Sequence, residues 1–510
     1  MGRKKGVIFS YILMIIESLS SILFAPYLIR CLGSSEYGIY GLVVSVTSYL
    51  YLLDLGVGNA VIRYIAKYRF DDDKNSERKL MATTMIFYGI IAVVVIIAGL
   101  LLNLFLPQIF GKGLSEQELM LAGKMLQITV ITVAVSLFFS PVSKTLIAYE
   151  KFVLSKCVDI VRIVVRVGLC CIALTFGGKG IAMVSINLLT TAGVGIFSMI
   201  YTFGKLKVTP CFKGINFRFI KEIWGYTFFI MLQMAATQIN SMVDHILIGA
   251  FVSASTTFLA IYTAATQITQ YFQSFGSAVN SVLMPGVVKM VENKATTQEL
   301  QDEMIKISRL IFMFLGIVYV GFALFGKSFM IMWAGDEYKD GYYVALIIMF
   351  PMLFSLSQSI GAQILWALNR HKIQAVLKIC LAVLNIFLTY FLIQWNPTIG
   401  AAIGTAIALM LSDVVVMNIV FRKDIGISIW KYYLGVLKGI LPALIISGGI
   451  AYAFSFIDIK GWLGLILNIL VLCVVYFTLM CIFGLNDGER RMFSLVPILN
   501  KIIKVKERSK

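Results

Sequence analysis

The feature that most constrains how this chain can fold is a series of fourteen apolar stretches, each about 20 residues long or longer. An α-helix rises 1.5 Å per residue, so each stretch can cross a hydrocarbon core of about 30 Å. The stretches lie at roughly 7–29, 38–58, 80–106, 121–143, 157–176, 180–203, 223–248, 257–282, 305–326, 342–366, 373–394, 399–421, 432–456 and 462–484. A soluble domain is about 45–50% apolar, whereas this chain is 59% hydrophobic and 14% charged, with a mean hydropathy of +0.89. The sequence therefore predicts an all-α polytopic membrane protein with about fourteen transmembrane helices.

The first two stretches, Val7–Ile29 and about Gly38–Val57, are separated by a short turn that contains Gly33. Arg3 and the two lysines after it precede the first stretch, as positive residues do in a signal peptide. The stretch is too long for a signal peptide, contains Glu17 and lacks a small-residue cleavage site, so we expect it to remain as the first span. Because charges lie inside or close to the apolar zone, we interpret this helix pair as the first wall of a transport cavity.

The basic residues predict the orientation in the membrane. With both termini and the even-numbered loops in the cytoplasm, 34 of the 44 Lys and Arg residues fall on the cytoplasmic side and 7 on the opposite side. The net charge of +18 then reflects topology and contact with anionic lipid head groups, and nucleic-acid binding is not expected. Residues 489–510 alternate apolar side chains with Lys and Arg, which fits an amphipathic helix on the cytoplasmic face; a solvated tail is the alternative.

A weak internal repeat predicts how the helices are arranged. Ile39-Tyr40 recurs as Ile261-Tyr262, Ala148 as Ala367, and Gly180-Ile181-Ala182 as Gly400-Ala401-Ala402, at offsets of 222, 219 and 220 residues. An even number of helices separates the copies, so both halves have the same orientation, and we expect two six-helix lobes related by a pseudo-two-fold axis. The predicted boundaries are 1–210 for the N-lobe (spans 1–6), 211–425 for the C-lobe (spans 7–12), 426–486 for two additional spans, and 487–510 for a basic amphipathic cytoplasmic tail.

The most specific pattern in the chain lies in residues 26–64. It comprises P-Y-L-I-R-x-L-G-x-x-x-Y-G-x-Y at 26–40, then Leu52-Leu53-Asp54-Leu55-Gly56, Gly58-Asn59-Ala60 and Arg63-Tyr64. This pattern resembles the bacterial polysaccharide-biosynthesis or O-antigen flippase family of the multidrug/oligosaccharidyl-lipid/polysaccharide exporter superfamily. The resemblance implies alternating access by two lobes, which would move an undecaprenyl-pyrophosphate-linked oligosaccharide to the outer leaflet of the bacterial cytoplasmic membrane. It also implies membrane lipids as partners, together with a polysaccharide polymerase or glycosyltransferases of the same pathway.

Charged residues in the fifth stretch predict an anion site. Asp159, Arg162 and Arg166 follow the spacing i, i+3, i+7 and share one helix face. An Arg at the membrane centre costs about 2.5–3.5 kcal/mol on insertion scales, so two of them require an aqueous cavity, a partner or an anion. We expect Arg162 and Arg166 to bind the pyrophosphate or acidic sugars, because guanidinium groups suit phosphate oxygens. The alternative is that Asp159 and another acid neutralise them within the helix bundle.

Two further arginines are candidates for substrate binding. Arg30 and Arg63 lie near opposite membrane faces, where they can meet the head group in the outward and inward states. The alternative is that both extend to the membrane interface, as Arg side chains at span ends do. Asp54 and Asp413 lie in the cytoplasmic parts of their stretches, and we expect them to fix contacts between lobes.

Coupling to a H⁺ or Na⁺ gradient requires a membrane-embedded group that exchanges an ion. Glu17 in the first stretch is one candidate, with a helix-holding pair to Arg162 as the alternative. Asp244 and His245, with Gln238 and Asn240 nearby, form a polar patch in the seventh stretch. Asp244 and His245 are candidates too, with a role in helix–helix contacts as the alternative. Asp159 completes the set of ion-coupling candidates.

The motifs of enzymes are missing from the sequence. No catalytic triad, zinc motif, phosphate loop or nucleotide-binding signature occurs, and the 8 cysteines are scattered without metal-ligand spacing. We therefore expect no catalytic residue, no cofactor and no metal, and a transporter rather than an enzyme. An ion-coupled exporter of small amphipathic drugs is the alternative within transport. A membrane enzyme of the same pathway is disfavoured, because the outer loops are short and carry one acid cluster, Asp336, Glu337 and Asp340.

Overall fold

The structure, a computed structural model, describes residues 2–213, 218–368, 371–457, 461–486 and 488–490. In these residues it contains helices and no β-strand. The α-helices are α1 (Gly2–Ser48), α2 (Val57–Phe70), α3 (Lys74–Phe110), α4 (Glu116–Ala148), α5 (Phe152–Thr175), α6 (Gly180–Gly204), α7 (Arg218–Phe251), α8 (Thr256–Glu292), α9 (Thr297–Ala334), α10 (Gly341–Ser357), α11 (Ser359–Ala367), α12 (His371–Leu392), α13 (Pro397–Leu409), α14 (Met417–Val420), α15 (Ile429–Leu437), α16 (Ile440–Ser455) and α17 (Gly461–Leu479). Tyr49–Asp54 and Asp336–Tyr338 are 3₁₀ turns, and Met410–Val416, Phe421–Ile425 and Met480–Gly484 are π-helical. Apart from 488–490, the predicted tail lies outside the described residues.

The predicted fold class is confirmed: this is an all-α polytopic membrane protein. In the described part of the chain, ten helical segments are long and apolar enough to cross a membrane. One of them, Ile12–Phe70, contains the first two predicted stretches. Three further predicted stretches, the fifth, seventh and eighth, correspond to α5, α7 and α8, which are not among the ten segments. The ten segments are therefore compatible with the predicted number of about fourteen spans.

The first two predicted stretches differ from expectation, because they form one helical run. Within α1, Gly33 leaves the helical conformation with φ +73° and ψ 171°, and the helix resumes directly after it. Glycine adopts this φ without the steric cost that a Cβ brings. The expected turn at Gly33 is therefore a sharp break between two helical segments rather than a loop.

The predicted loop at 63–79 is also mostly helical. α2 follows a break at Gly56, which has φ +72°, and α3 begins soon after α2 ends. Val57, Val61 and Ile65 are buried at a helical spacing, whereas Lys67 is exposed. This amphipathic pattern makes α2 a surface helix that packs its apolar side onto the protein.

Several later spans are interrupted within the apolar zone. α10 and α11 meet at Gln358, and α15 and α16 meet at Lys438 and Gly439. Gly439 has φ +78° and lies against the backbone of Gly484, where a Cβ would come within 2.9 Å of the Gly484 Cα. Such breaks release backbone carbonyls from the helical ladder, and in a membrane these carbonyls need other donors.

The helices form two compact units, one of residues 1–263 with 375–404 and one of 264–374 with 405–510. In the first unit, α4 packs against α3 and α6, and α1 packs against α5. In the second unit, α9 is central and packs against α10, α15, α16 and α17. The lobe boundaries drawn from the sequence repeat stay a prediction.

One contact inside the first unit joins residues that are equivalent in the repeat. Gly38 of α1 approaches α8 so closely that a Cβ on it would lie 3.1 Å from the Ala260 nitrogen. Gly38 and Ala260 are separated by 222 residues, the offset of the Ile39-Tyr40 match. Equivalent residues that touch each other lie near a pseudo-two-fold axis, so this contact supports the predicted relation between the halves.

Candidate functional site

A basic cluster on α4 and α5 contains the two arginines singled out in the sequence. It consists of Lys144, Lys156, Arg162 and Arg166, all of which lie half-buried in the first unit. Arg162 interacts electrostatically with Tyr51 of the 3₁₀ turn. Arg166 interacts in the same way with Tyr40 of α1 and with Cys170, one turn further along α5. Each guanidinium group therefore has a tyrosine hydroxyl within electrostatic range.

The positive charge of the basic cluster is only partly compensated. Asp159 forms a 4.0 Å ion pair with Lys156, and also lies within electrostatic range of Lys144 and Arg162. Arg162 and Arg166 form no ion pair or hydrogen bond with any residue that the structure describes. The alternative interpretation requires a carboxylate paired with each arginine, and the described chain contains no such pair. The basic cluster therefore keeps an excess of positive charge.

Asp244 lies in a buried polar cluster where α7, α8 and α12 meet. Its carboxylate accepts hydrogen bonds from the hydroxyl of Tyr262 on α8 and, at 3.2 Å, from Thr389 of α12. Thr389 also donates to Asn385 one turn away, and the Asn385 amide donates to Asn240 at 3.1 Å. Asp244 is 1% exposed and Tyr262, Thr389 and Asn385 are 0% exposed. A buried carboxylate surrounded by oxygens from three helices is an environment that suits a proton or a small cation.

His245 packs beside this cluster but is bonded differently. Its ring is 3% exposed and meets the Tyr262 ring edge-to-face, with 5.1 Å between the centroids. Its Nδ1 atom has no hydrogen-bond partner among the described residues. His245 and Asp244 therefore both contact Tyr262, the former through its ring and the latter through its carboxylate. The two residues lie together in a polar patch, as the sequence predicts.

The remaining candidates from the sequence lie apart from both clusters. Glu17 and Arg30 are exposed on α1, and Arg63 is exposed on α2. In the described residues none of the three takes part in an ion pair, so Glu17 does not pair with Arg162 as the alternative interpretation required. Their roles in substrate binding and ion coupling stay predictions.

The two aspartates expected to fix lobe contacts form hydrogen bonds inside single units. Asp54 accepts a 2.6 Å hydrogen bond from Tyr88 of α3 in the first unit. In the second unit, Asp413 lies in the π-helical turn and accepts hydrogen bonds from Ser355 at 3.1 Å and Ser412 at 3.2 Å. The Gln358 side chain donates to the Asp413 carbonyl, so this aspartate links the breaks in two spans.

Sequence reasoning missed a deeply buried charge, that of Arg309. The sequence count placed it on the cytoplasmic side, whereas it lies inside α9 with 1% exposure. Its guanidinium forms a bidentate pair with Glu489 at 2.6 and 3.1 Å. It also donates at 2.8 Å to the carbonyls of Gly435, Lys438 and Gly484. The break between α15 and α16 and the π-helical end of the last span leave these carbonyls without their usual helical donors. Arg309 supplies the missing donors at both places.

Asn385 and Thr389 also went unnoticed in the sequence, and Tyr262 was named only as part of the internal repeat. Asn385 and Thr389 are four residues apart in an apolar stretch and therefore share a helix face, a spacing that marks a polar stripe. The spacing of Asn385 and Thr389 is visible in the sequence. The sequence does not show which helix packs against the polar stripe that they form.

Comparison with known proteins identifies the family. The profile of the family described as polysaccharide biosynthesis protein matches residues 4–291, which is more than half of the chain. The chain belongs to this family. The resemblance drawn from residues 26–64 is thereby confirmed.

Curated relatives from a bacterium and an archaeon agree with this assignment. A protein of Shigella flexneri described as "Putative O-antigen transporter" is 21% identical over 399 residues, which is 76% of this chain and 90% of that protein. "Probable low-salt glycan biosynthesis flippase Agl15" of Haloferax volcanii is 22% identical over 325 residues, covering 61% of this chain and 67% of that protein.

Solved structures show the same fold. The inward closed conformation of the lipid II flippase MurJ superposes with a TM-score of 0.72 at 16% identity, covering 94% of this chain and 98% of that one. An inward-facing multidrug resistance MATE family transporter of the MOP superfamily gives a TM-score of 0.62 at 14% identity, over 81% and 96% of the two chains. The protein is therefore a multi-pass membrane protein with the fold of these transporters.

Proposed function

We propose that the protein is a flippase that moves an undecaprenyl-pyrophosphate-linked oligosaccharide from the cytoplasmic to the outer leaflet of a bacterial cytoplasmic membrane, by alternating access. The observation that carries this proposal is the basic cluster: two half-buried arginines on one face of α5, without ion pairs in the described chain. The family and the named relatives support polysaccharide as the product. The termini are cytoplasmic in this proposal, and the product passes to a polymerase or glycosyltransferases.

An anionic head group resolves the energetic problem that the basic cluster poses. Arg162 and Arg166 would each cost about 2.5–3.5 kcal/mol at the membrane centre if they met only lipid. A pyrophosphate offers several oxygens to the planar N–H pairs of a guanidinium, and charge-assisted bonds of this kind are worth about 1.5–3 kcal/mol each. A neutral or cationic drug would leave both arginines unsatisfied, which disfavours the multidrug exporter.

We place ion coupling at Asp244, with H⁺ or Na⁺ as the coupling ion. The carboxylate is buried and accepts hydrogen bonds from the hydroxyls of Tyr262 and Thr389, and Asn385 lies beside Thr389 in the same polar cluster. Glu17 is the weaker candidate because it is exposed on α1. Asp159 already forms an ion pair with Lys156 of the basic cluster.

The flippase proposal is tested with purified protein in liposomes that contain a fluorescent undecaprenyl-pyrophosphate oligosaccharide. Access of the oligosaccharide to an enzyme added outside is followed over time. Transfer that requires the protein, and that is absent for the same oligosaccharide on an uncharged lipid, is the expected result. Absence of transfer for several glycans, with proton and sodium gradients imposed, would refute the flippase and favour the export of small molecules.

Ion coupling gives a separate prediction in the same liposomes. Asp244→Asn removes the charge that holds the ion and is expected to abolish the dependence of the initial rate on an imposed H⁺ or Na⁺ gradient. Glu17→Gln makes the same chemical change on an exposed part of α1 and is expected to keep that dependence. If the gradient response survives in Asp244→Asn and disappears in Glu17→Gln, Glu17 is the coupling carboxylate instead.

A further inference from the structure

At one end of the first unit, hydrogen bonds join the segment after the Gly33 break, the connection between α3 and α4, and the connection between α7 and α8. Ser35, just after the Gly33 break, donates to Glu118 at the start of α4, with 2.7 Å between the oxygens. Glu118 is also hydrogen-bonded to Thr256, the first residue of α8. Ser255 donates from its backbone nitrogen and its hydroxyl to the Gly113 carbonyl, at 2.9 and 3.1 Å. We call this set the loop cluster; the charge distribution of the sequence predicts that it faces outside.

Next to the loop cluster, α1 packs closely against the first two turns of α8, and at two glycines of α1 there is no room for a side chain. A Cβ on Gly38 would overlap the Thr256 carbonyl oxygen, and a Cβ on Gly41 would overlap the Thr263 side chain. Gly41 is followed by buried residues of α1 such as Leu42, so the contact continues into the core. Tightly packed helix contacts of this kind have discrete arrangements rather than a continuous range, and they can therefore act as a two-position gate.

Tyr262 connects this gate with the buried carboxylate. It lies on α8 between Ala260 and Thr263, which meet α1 through Gly38 and Gly41. Its hydroxyl donates a hydrogen bond to Asp244 of α7. The hydrogen bond from Tyr262 to Asp244 is thus made by the segment of α8 that packs against α1. The hydrogen bond from Thr389 to Asp244 comes from α12 instead.

We infer that Tyr262 is a positioning residue that transmits the occupancy of Asp244 to the contact between α1 and α8. When a cation or proton occupies Asp244, the carboxylate becomes a poorer acceptor for the Tyr262 hydroxyl. The first two turns of α8 then lose the tie that holds them in the closed arrangement, and the loop cluster is released. This inference rests on the proposed function, in which Asp244 is the coupling carboxylate, and it adds the route from that residue to the gate.

The charged and titratable groups around this carboxylate come from several elements. Tyr262 is on α8, and His245, beside Asp244 on α7, packs its ring against Tyr262. Tyr49 of the 3₁₀ turn interacts electrostatically with Asp244. Among these, Tyr262 is the group that both bonds to Asp244 and belongs to the helix segment in contact with Gly38 and Gly41.

Hydrogen exchange of the purified full chain in nanodiscs tests this route without substrate. The probe is the set of backbone amides in 252–263, which includes the Ser255 amide bonded to Gly113. Asp244→Asn mimics the neutralised carboxylate, and Tyr262→Phe removes the hydroxyl while keeping the ring. Both are expected to speed exchange in this segment about tenfold, because a hydrogen bond to a charged group is worth at least that factor. The double variant is expected to exchange no faster than either single variant.

Two control variants separate transmission from a general loss of stability. Thr389→Val removes a hydrogen bond from the same carboxylate without touching α8, and exchange in 252–263 is expected to stay at the wild-type rate. Tyr432→Phe removes the hydroxyl of an equally buried tyrosine in the second unit, which bonds to Ser308 at 2.9 Å. If Thr389→Val has the same effect as Tyr262→Phe, or if Asp244→Asn still accelerates exchange in the Tyr262→Phe background, the route through Tyr262 is refuted. Because the experiment involves no transport, this refutation is distinct from failure of the flippase assay.

Discussion

Replacing Arg309 with alanine is expected to lower the free energy of unfolding by about 3–5 kcal/mol, the cost of leaving one partner of a buried ion pair without the other. Glu489 would remain as a carboxylate with 4% exposure. The carbonyls of Gly435, Lys438 and Gly484 would lose their shared donor as well. No helical nitrogen is available to replace it, because these carbonyls lie at interruptions of their helices.

The prediction is measured as the apparent melting temperature of the purified protein in detergent. Arg309→Lys keeps the charge but offers a compact ammonium in place of the planar fork, so it is expected to melt between wild type and Arg309→Ala. Arg422→Ala is the matched control, since Arg422 is an exposed arginine at the end of a span in the same unit. A melting temperature of Arg309→Ala equal to that of Arg422→Ala would show that the buried pair adds nothing to stability, as happens for some buried ion pairs.

The helices could be predicted from the sequence, whereas the burial of Arg309 could not. Apolar length and the distribution of Lys and Arg are properties of one segment at a time, and they sufficed for the fold class and for the fifth-span arginines. Arg309 lies within a few residues of the predicted start of its span, where a basic residue normally reaches water. Its burial depends on Glu489 and on a helix break more than 100 residues away, which no local pattern encodes.

The same limit explains the two clusters of the candidate site. The spacing of Asp159, Arg162 and Arg166 is set by one helix, so their shared face followed from the sequence. The cluster around Asp244 joins residues of three helices, and the sequence pointed only to residues of α7: Asp244, its neighbour His245 and Asn240. The break at Gly33 and the helices on both sides of it were predicted, but Ser34 and Ser35 were expected in a turn because polar residues of this kind favour turns locally. In the structure the helix resumes directly after Gly33.

Replacing both Arg162 and Arg166 with alanine is expected to lower the initial rate of oligosaccharide transfer about 100-fold or more. Each guanidinium that meets a phosphate contributes about 1.5–3 kcal/mol through charge-assisted hydrogen bonds, and 1.4 kcal/mol corresponds to a factor of ten. The two residues contact the same ligand in this proposal, so their effects need not add. Removing them should leave folding intact, because in the described chain neither forms an ion pair or a hydrogen bond that holds helices together.

The matched variants decide whether charge or geometry matters at this cluster. Arg162→Lys/Arg166→Lys keeps both positive charges and loses the bidentate fork, so an intermediate rate is expected if the cargo is a phosphate. Arg422→Ala removes an exposed arginine elsewhere and should transfer at the wild-type rate. Equal melting temperatures for the alanine and lysine pairs would exclude misfolding as the cause of a lower rate. A wild-type rate in the double alanine variant would mean that the arginines of α5 do not bind the head group, and the anion site would then have to be sought among Arg30 and Arg63.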